Sequence, residues 1–176
     1  MSRDAGGSHQ PHALVNGLAP EEARQALARC CGSSRWVAAM LARRPFADDA
    51  ALYAAAHDVW RALGPDDILE AFAHHPRIGE AGTGARTAAT RAWSAEEQAR
   101  AAAGLAEDAA AALRALNDAY AARFGYIFII CATGKSADEI LGALRARLAN
   151  DPATELGVAA TEQARITRLR LEKLAR

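Results

Sequence analysis

Residues 125–134 read GYIFIICATG, a run dense in β-branched and aromatic residues between two glycines. Taken locally, such a run has the character of a buried strand. A strand needs neighbours to satisfy its backbone N–H and C=O groups, and no other segment of this chain has strand character. The run is therefore expected as an extended segment wedged between helices, with some backbone groups free for other partners. That restriction removes sheet architectures and leaves an all-α fold.

The remaining sequence agrees. Apolar residues make up 51% of the 176, and many are alanine, the strongest helix former and a poor strand residue. Pro20, Glu21 and Glu22 open a helix over 20–31. Ser34 can cap a second through Leu41, ended by Pro45. Asp48 or Asp49 starts a third, whose buried face is Leu52, Ala56, Val59, Trp60 and Leu63, up to Gly64. Pro65 opens a fourth that runs to His74 or His75, where Pro76 disfavours further helix. Residues 79–91, GEAGTGARTAATR, form a Gly-rich loop. Residues 94–124 carry the longest helical pattern, one helix or two broken near Gly104. Ser136 and Glu139 make a capping box for a helix through about Ala149. Asp151, Pro152 and Glu155 start the last helix, with Leu156, Ile166, Leu169 and Leu174 along its apolar face. The expected architecture is a single-domain helical bundle of about seven to eight helices over 13–176, preceded by a disordered tail at 1–12.

Charge and cysteine usage narrow the function classes. Lys plus Arg and Asp plus Glu both number 21, so no basic excess exists to hold a nucleic-acid backbone or an anionic membrane. A small molecule is the expected partner. No apolar run of about 18 residues is present, and MSRDAGGSHQPH lacks the apolar core of a signal peptide. Cys30 and Cys31 are adjacent, Cys131 stands alone, and no C-x-x-C spacing occurs, which fits a reducing cytoplasm.

Three places can carry chemistry. His74 and His75 point about 100° apart if helical, unlike the i, i+4 pair that binds zinc, and neither His57 nor the tail residues His9 and His12 make ligand spacing with them. General acid–base work suits His75 better, because Pro76 turns its backbone out of the helix. The competing account is a helix-terminal histidine that favours the C-terminal dipole. In WSAEEQA (93–99), Ser94 with Glu97 is a capping box, and the same helix start can receive a ligand oxygen. Arg170, between Leu169 and Leu171 on an apolar terminal helix, is either a solvated dipole partner, as arginines near helix C-termini usually are, or a functional residue.

HPRIG (75–79), S-x-x-E-Q (94–98), N-x-x-Y-x-x-x-FGYIF (117–128) and I-x-x-LRL (166–171) occur in one order and spacing. In that respect, and in RPF at 44–46, residues 14–174 resemble the 2-oxo-4-hydroxy-4-carboxy-5-ureidoimidazoline (OHCU) decarboxylase family of the urate pathway. The resemblance implies a helical, cofactor-free, commonly homodimeric enzyme that forms (S)-allantoin from a small anionic substrate. It implies His75, Glu97 and Arg170 as catalytic residues. Substrate contacts would fall on Pro76, on Ser94, Ala95, Glu96, Glu97 and Gln98, and on Phe128, Ile129, Ile130, Cys131 and Ala132. Neither Arg77 nor the Gly-rich loop receives a role. Many animal members read HPDLAG where this chain has HPRIGE.

The implied mechanism starts with loss of carbon dioxide from C4, which leaves electrons to spread into the neighbouring imine or carbonyl system. His75 then protonates the new carbon centre from one face. Glu97 holds the imidazole and binds substrate hydroxyl or ureido groups, Arg170 anchors an anionic oxygen, and the apolar segment strips water from the carboxylate. Two alternatives remain: a non-catalytic helical interaction module, and a metal-dependent hydrolase built on His74, His75 and His57. The chain ends in LAR rather than a clear peroxisomal tripeptide, so cytoplasm is expected.

Overall fold

The computed structural model describes residues 10–78 and 107–175. The described residues contain eight helices and no strand, so the fold is all-α: α1 (Pro11–Gly17), α2 (Pro20–Cys30), α3 (Ser34–Ala42), α4 (Asp49–Arg61), α5 (Pro65–Ala73), α6 (Glu107–Phe124), α7 (Ala137–Arg147) and α8 (Pro152–Lys173). None of them is long and apolar enough to cross a membrane. Residues 10–63 with 167–175 make one compact unit, and residues 64–78 with 107–166 make another.

In the first unit, local chemistry sets the helix ends. Glu22 reaches back to the Ala19 N–H at 3.2 Å, and the Asp48 carboxylate accepts the Ala51 N–H at 2.7 Å. The cap of α3 is Ser33, not Ser34: its hydroxyl accepts the Trp36 N–H at 3.2 Å. Helix α2 packs on α3, α3 on α4, and α1 on both α2 and α4. Their shared interior holds Leu27, Trp36, Met40 and Leu52, all fully buried. The Trp36 indole N–H donates to the Ala56 carbonyl at 3.1 Å, which satisfies the one polar atom of that side chain.

Pro11 and His12, expected in the tail, instead open α1, and His12 holds Asp49 through its backbone N–H (2.9 Å) and Nδ1 (2.7 Å). Residues 1–9 lie outside the described residues. The RPF stretch also has a local use. Arg44 donates to the carbonyls of Asn16 and Leu18 at 2.7 and 2.6 Å, and Asn16 bonds both backbone groups of Phe46.

In the second unit, α6 packs on α7. The core joins Ile78, Leu113, Tyr120, Phe128, Ile130, Ala132, Ile140, Leu141 and Leu144. Residues 125–136 run between α6 and α7 without helix or strand. Gly125 and Gly134, which bound the apolar run, have φ of 80° and 81°, values that only glycine adopts at no steric cost. The Ser136–Glu139 capping box forms as expected, with both reciprocal bonds in place at 2.6 and 3.2 Å.

The last helix departs from expectation. Leu156, Leu169 and Leu174 are only half-buried, and the buried stripe is Glu155, Ala159, Glu162, Gln163, Ile166, Thr167, Arg170 and Leu171. Spacing of apolar residues alone misplaced this face, because polar groups with partners can be buried too.

Candidate active site

Helix α5 ends where the proline requires. His74 is its C-cap, and the N–H groups of His74 and His75 turn back to Ala71 and Phe72 at 3.2 and 3.0 Å, tightening the last turn. His74 is exposed, and His75 and Pro76 are half-buried. Immediately beyond, the chain is fastened to α6 twice. Arg77 Nη1 lies 2.6 Å from Asp118 Oδ1, and the Asn117 amide donates to the Ile78 carbonyl at 3.1 Å. Ile78 itself is buried in the core beside Leu113. His75 thus sits between a helix end and two ties, and Arg77 gains a structural role that the sequence did not assign.

The N-x-x-Y-x-x-x-F motif reads as scaffolding for this corner. Asn117, Tyr120 and Phe124 recur at helical spacing on α6. The Tyr120 ring centroid lies 4.7 Å from that of Phe124, 5.2 Å from Phe128 and 5.9 Å from Tyr126. Tyr126 in turn packs at 5.3 Å against Phe72 of α5. The Tyr120 hydroxyl donates to the Glu155 carboxylate. Burial, and then this bond to Glu155, hold the Tyr120 pKa well above the ordinary tyrosine value.

Residues 128–132, the second set of expected substrate contacts, are all buried. They form no strand, and two of their backbone groups are held by charged side chains. Arg147 Nη1 donates to the Ile129 carbonyl at 2.7 Å, and the Cys131 N–H donates to Glu162 Oε2 at 2.8 Å. The expectation of unpaired groups along this run is therefore corrected at Ile129 and Cys131. Arg147 also donates twice to Glu155 Oε1, at 2.8 and 2.6 Å, and its guanidinium carbon lies 4.5 Å from the centre of the Phe128 ring. Asn150 supplies a further bond to the other Glu155 oxygen at 2.7 Å.

Sequence reasoning missed Arg147, Glu155 and Glu162. A signal did exist. Arg147 falls in phase with the buried Ile140 and Leu144, and Glu155 and Glu162 fall in phase with Ala159 and Ile166. Phase could have flagged the positions, but nothing local names their partners.

Arg170 is only 3% exposed, so it is not a solvated helix-terminal cation. It belongs to the first unit, near Cys30. Burial pushes the Cys30 thiol up to about 12, with the charge of Arg170 pulling the other way. Glu97, the rest of Ser94–Gln98, the Gly-rich loop 79–91 and the first part of the 94–124 pattern lie outside the described residues. Among the described residues, no group of three or more His, Cys, Asp or Glu could hold a metal ion, His57, His74 and His75 included.

Comparison with known proteins gives a consistent picture. Residues 16–172 match the family described as OHCU decarboxylase. The chain is 40% identical over 146 residues to the uric acid degradation bifunctional protein TTL of Arabidopsis thaliana, covering 82% of this chain but 45% of that protein, so it spans under half of the plant relative. It is 36% identical to the 2-oxo-4-hydroxy-4-carboxy-5-ureidoimidazoline decarboxylase of Amia calva, with 78% of each chain covered. A crystal structure of an OHCU decarboxylase in the presence of (S)-allantoin superposes with a TM-score of 0.73 at 36% identity, over 89% of this chain and 98% of the other.

Proposed function

The chain belongs to the OHCU decarboxylase family, and from that premise we propose that it decarboxylates 2-oxo-4-hydroxy-4-carboxy-5-ureidoimidazoline to (S)-allantoin in urate degradation. The observation that carries this reading is the family match along 16–172, joined to a relative with that activity in its name that aligns over most of both chains.

His75 is the proton donor in this reading. Breaking the bond from C4 to the carboxylate releases carbon dioxide and sends the electron pair into the adjacent imine system. With a proton added at the imine nitrogen, the enol so formed takes the His75 proton on one face of the neighbouring ring carbon and releases its hydroxyl proton as the ring carbonyl forms, and that face sets the (S) configuration. The buried tie from Asn117 to the Ile78 carbonyl supports the assignment, because a donor must be held within hydrogen-bond reach of its target. Glu97 orients the imidazole, and the buried charge of Arg170 anchors an anionic oxygen. Pro76, Ser94 through Gln98 and Phe128 through Ala132 complete the contacts. No cofactor is needed, because the substrate's own imine takes the electrons. The enzyme is read as a cytoplasmic homodimer, which light scattering on the purified protein tests for its oligomeric state.

Because the substrate also decays unaided, the test is a comparison of rates. Substrate is generated freshly from urate, and circular dichroism follows the product with and without the protein. A chiral signal that grows no faster with the protein overturns the reading. General acid catalysis typically contributes about 10²–10⁴-fold, so His75→Asn is expected to lose at least about a hundredfold in turnover with unchanged unfolding. Near-normal turnover in that variant removes His75 from the mechanism.

A further inference from the structure

Two opposite charges hold neighbouring backbone groups of the stretch expected to meet the substrate. Arg147 of α7 gives a donor to the Ile129 carbonyl, and Glu162 of α8 gives an acceptor to the Cys131 N–H two residues on. Together they fill the places that a neighbouring strand would fill, one donor and one acceptor along the chain. Resting on the decarboxylase reading above, we propose that Glu162, with Arg147 as its counterpart, is a positioning residue: it fixes the backbone of Phe128–Ala132 in the orientation that binds the ureidoimidazoline.

The two partners are built differently, and this makes Glu162 the informative one. Arg147 is locked into the buried pair with Glu155, so replacing it disturbs the core as well as the stretch. Glu162 has one oxygen on Cys131, and its other oxygen meets Arg165 at 2.5 Å, whose side chain is 61% exposed. A surface pair of that kind contributes little to stability. The cost of keeping a nearly buried carboxylate in this place is thus offset mainly at the Cys131 N–H. A contact aimed at a main-chain amide controls where the backbone lies, whichever side chain the residue carries.

The test uses Glu162→Met, which keeps the volume and removes the acceptor, Glu162→Gln, which restores an acceptor without the charge, and Arg165→Ala as the surface control. Amide exchange at Cys131 is expected to accelerate at least about tenfold in the methionine variant, with exchange in α6 and α7 unchanged. Since a displacement of about 1 Å can cost about 10²-fold, KM is expected to rise about 10–100-fold in the same variant, with the glutamine variant recovering most of the loss and Arg165→Ala behaving as wild type. A merely structural residue would lower the melting temperature and the folded yield but leave the KM of the folded fraction alone. Should the methionine variant not fold, Glu162→Asp, which draws the acceptor back from the Cys131 N–H by one methylene, carries the test, and its Cys131 exchange and KM must rise together. Faster exchange with a wild-type KM overturns the positioning role alone, whereas a wild-type protein that leaves the substrate's decay unaltered overturns the decarboxylase reading and this role with it.

Discussion

The layer of α2, α3 and α4 and the stretch from Gly125 to Gly134 both bury apolar side chains, yet they satisfy their backbones by different means. Inside a helix each interior N–H meets a carbonyl of the same helix, so only the ends need outside help. In the layer that help is short-range, from Ser33 and Asp48. The Gly125–Gly134 stretch has local backbone bonds only at its ends, Gly125 N–H to Ala121 and Lys135 N–H to the Ala132 carbonyl, and no neighbouring strand among the described residues. There the help comes from Arg147 and Glu162, on two other helices, and it brings charge into the interior together with Glu155. Among the described residues of the second unit, the buried charges Arg147 and Glu162 meet irregular backbone.

The widest break in that comparison is expected from Glu155→Ala. With Glu155 fully buried and Arg147 nearly so, removing the carboxylate leaves an uncompensated guanidinium, and stability measured by urea unfolding is expected to fall by about 3–5 kcal/mol. Replacing both partners together, as Arg147→Met with Glu155→Leu, is expected to cost less than the two single changes added. A strictly additive double variant would show that the pair is not a unit.

Alkaline pH probes the same network more gently. Burial, then the bond to Glu155, raises the Tyr120 pKa above its ordinary value of 10.0. The unfolded chain therefore ionises first, so stability present below pH 10 is lost as pH climbs beyond it. One such group contributes a slope of about 1.4 kcal/mol per pH unit. Tyr120→Phe is expected to flatten that slope, and an unchanged profile would assign the alkaline loss to other groups.

The smallest effect belongs to the helical layer. Ser33→Ala removes the bond to the Trp36 N–H and is expected to lower the unfolding free energy by about 1 kcal/mol, with turnover unchanged. A loss as large as that of Glu155→Ala would erase the distinction between the two regions.

Much of the first unit is legible in the residues themselves. Pro20 with its following acids, Asp48, and Leu52, Ala56, Val59 and Trp60 of the expected face stand as expected, as does the Ser136–Glu139 box in the second unit, whereas α4 stops at Arg61 and Leu63 is only half-buried. The end of α5 at His74 is equally readable, since proline acts on the residue beside it. Ser33 displaces Ser34 as a cap because two adjacent serines offer the same chemistry, and only the direction of the entering chain chooses between them. The face of α8 is misread at Leu156, Leu169 and Leu174, since hydrophobicity does not mark a glutamate whose partners lie elsewhere.

The sequence by itself determined most helix ends among the described residues, such as those at Pro20, Asp48, His74 and Ser136, and which histidine stands beside the proline. These are contacts within three or four residues, and residue type decides them. The tertiary structure alone decided that Arg147, Glu155, Glu162 and Arg170 go inside, and that Arg77 and Ile78 are pinned to α6. Burying a charge is costly until a partner is found, and the partners here stand far along the chain, as Tyr120 and Glu155 do at 35 positions. Only the folded chain brings them within reach.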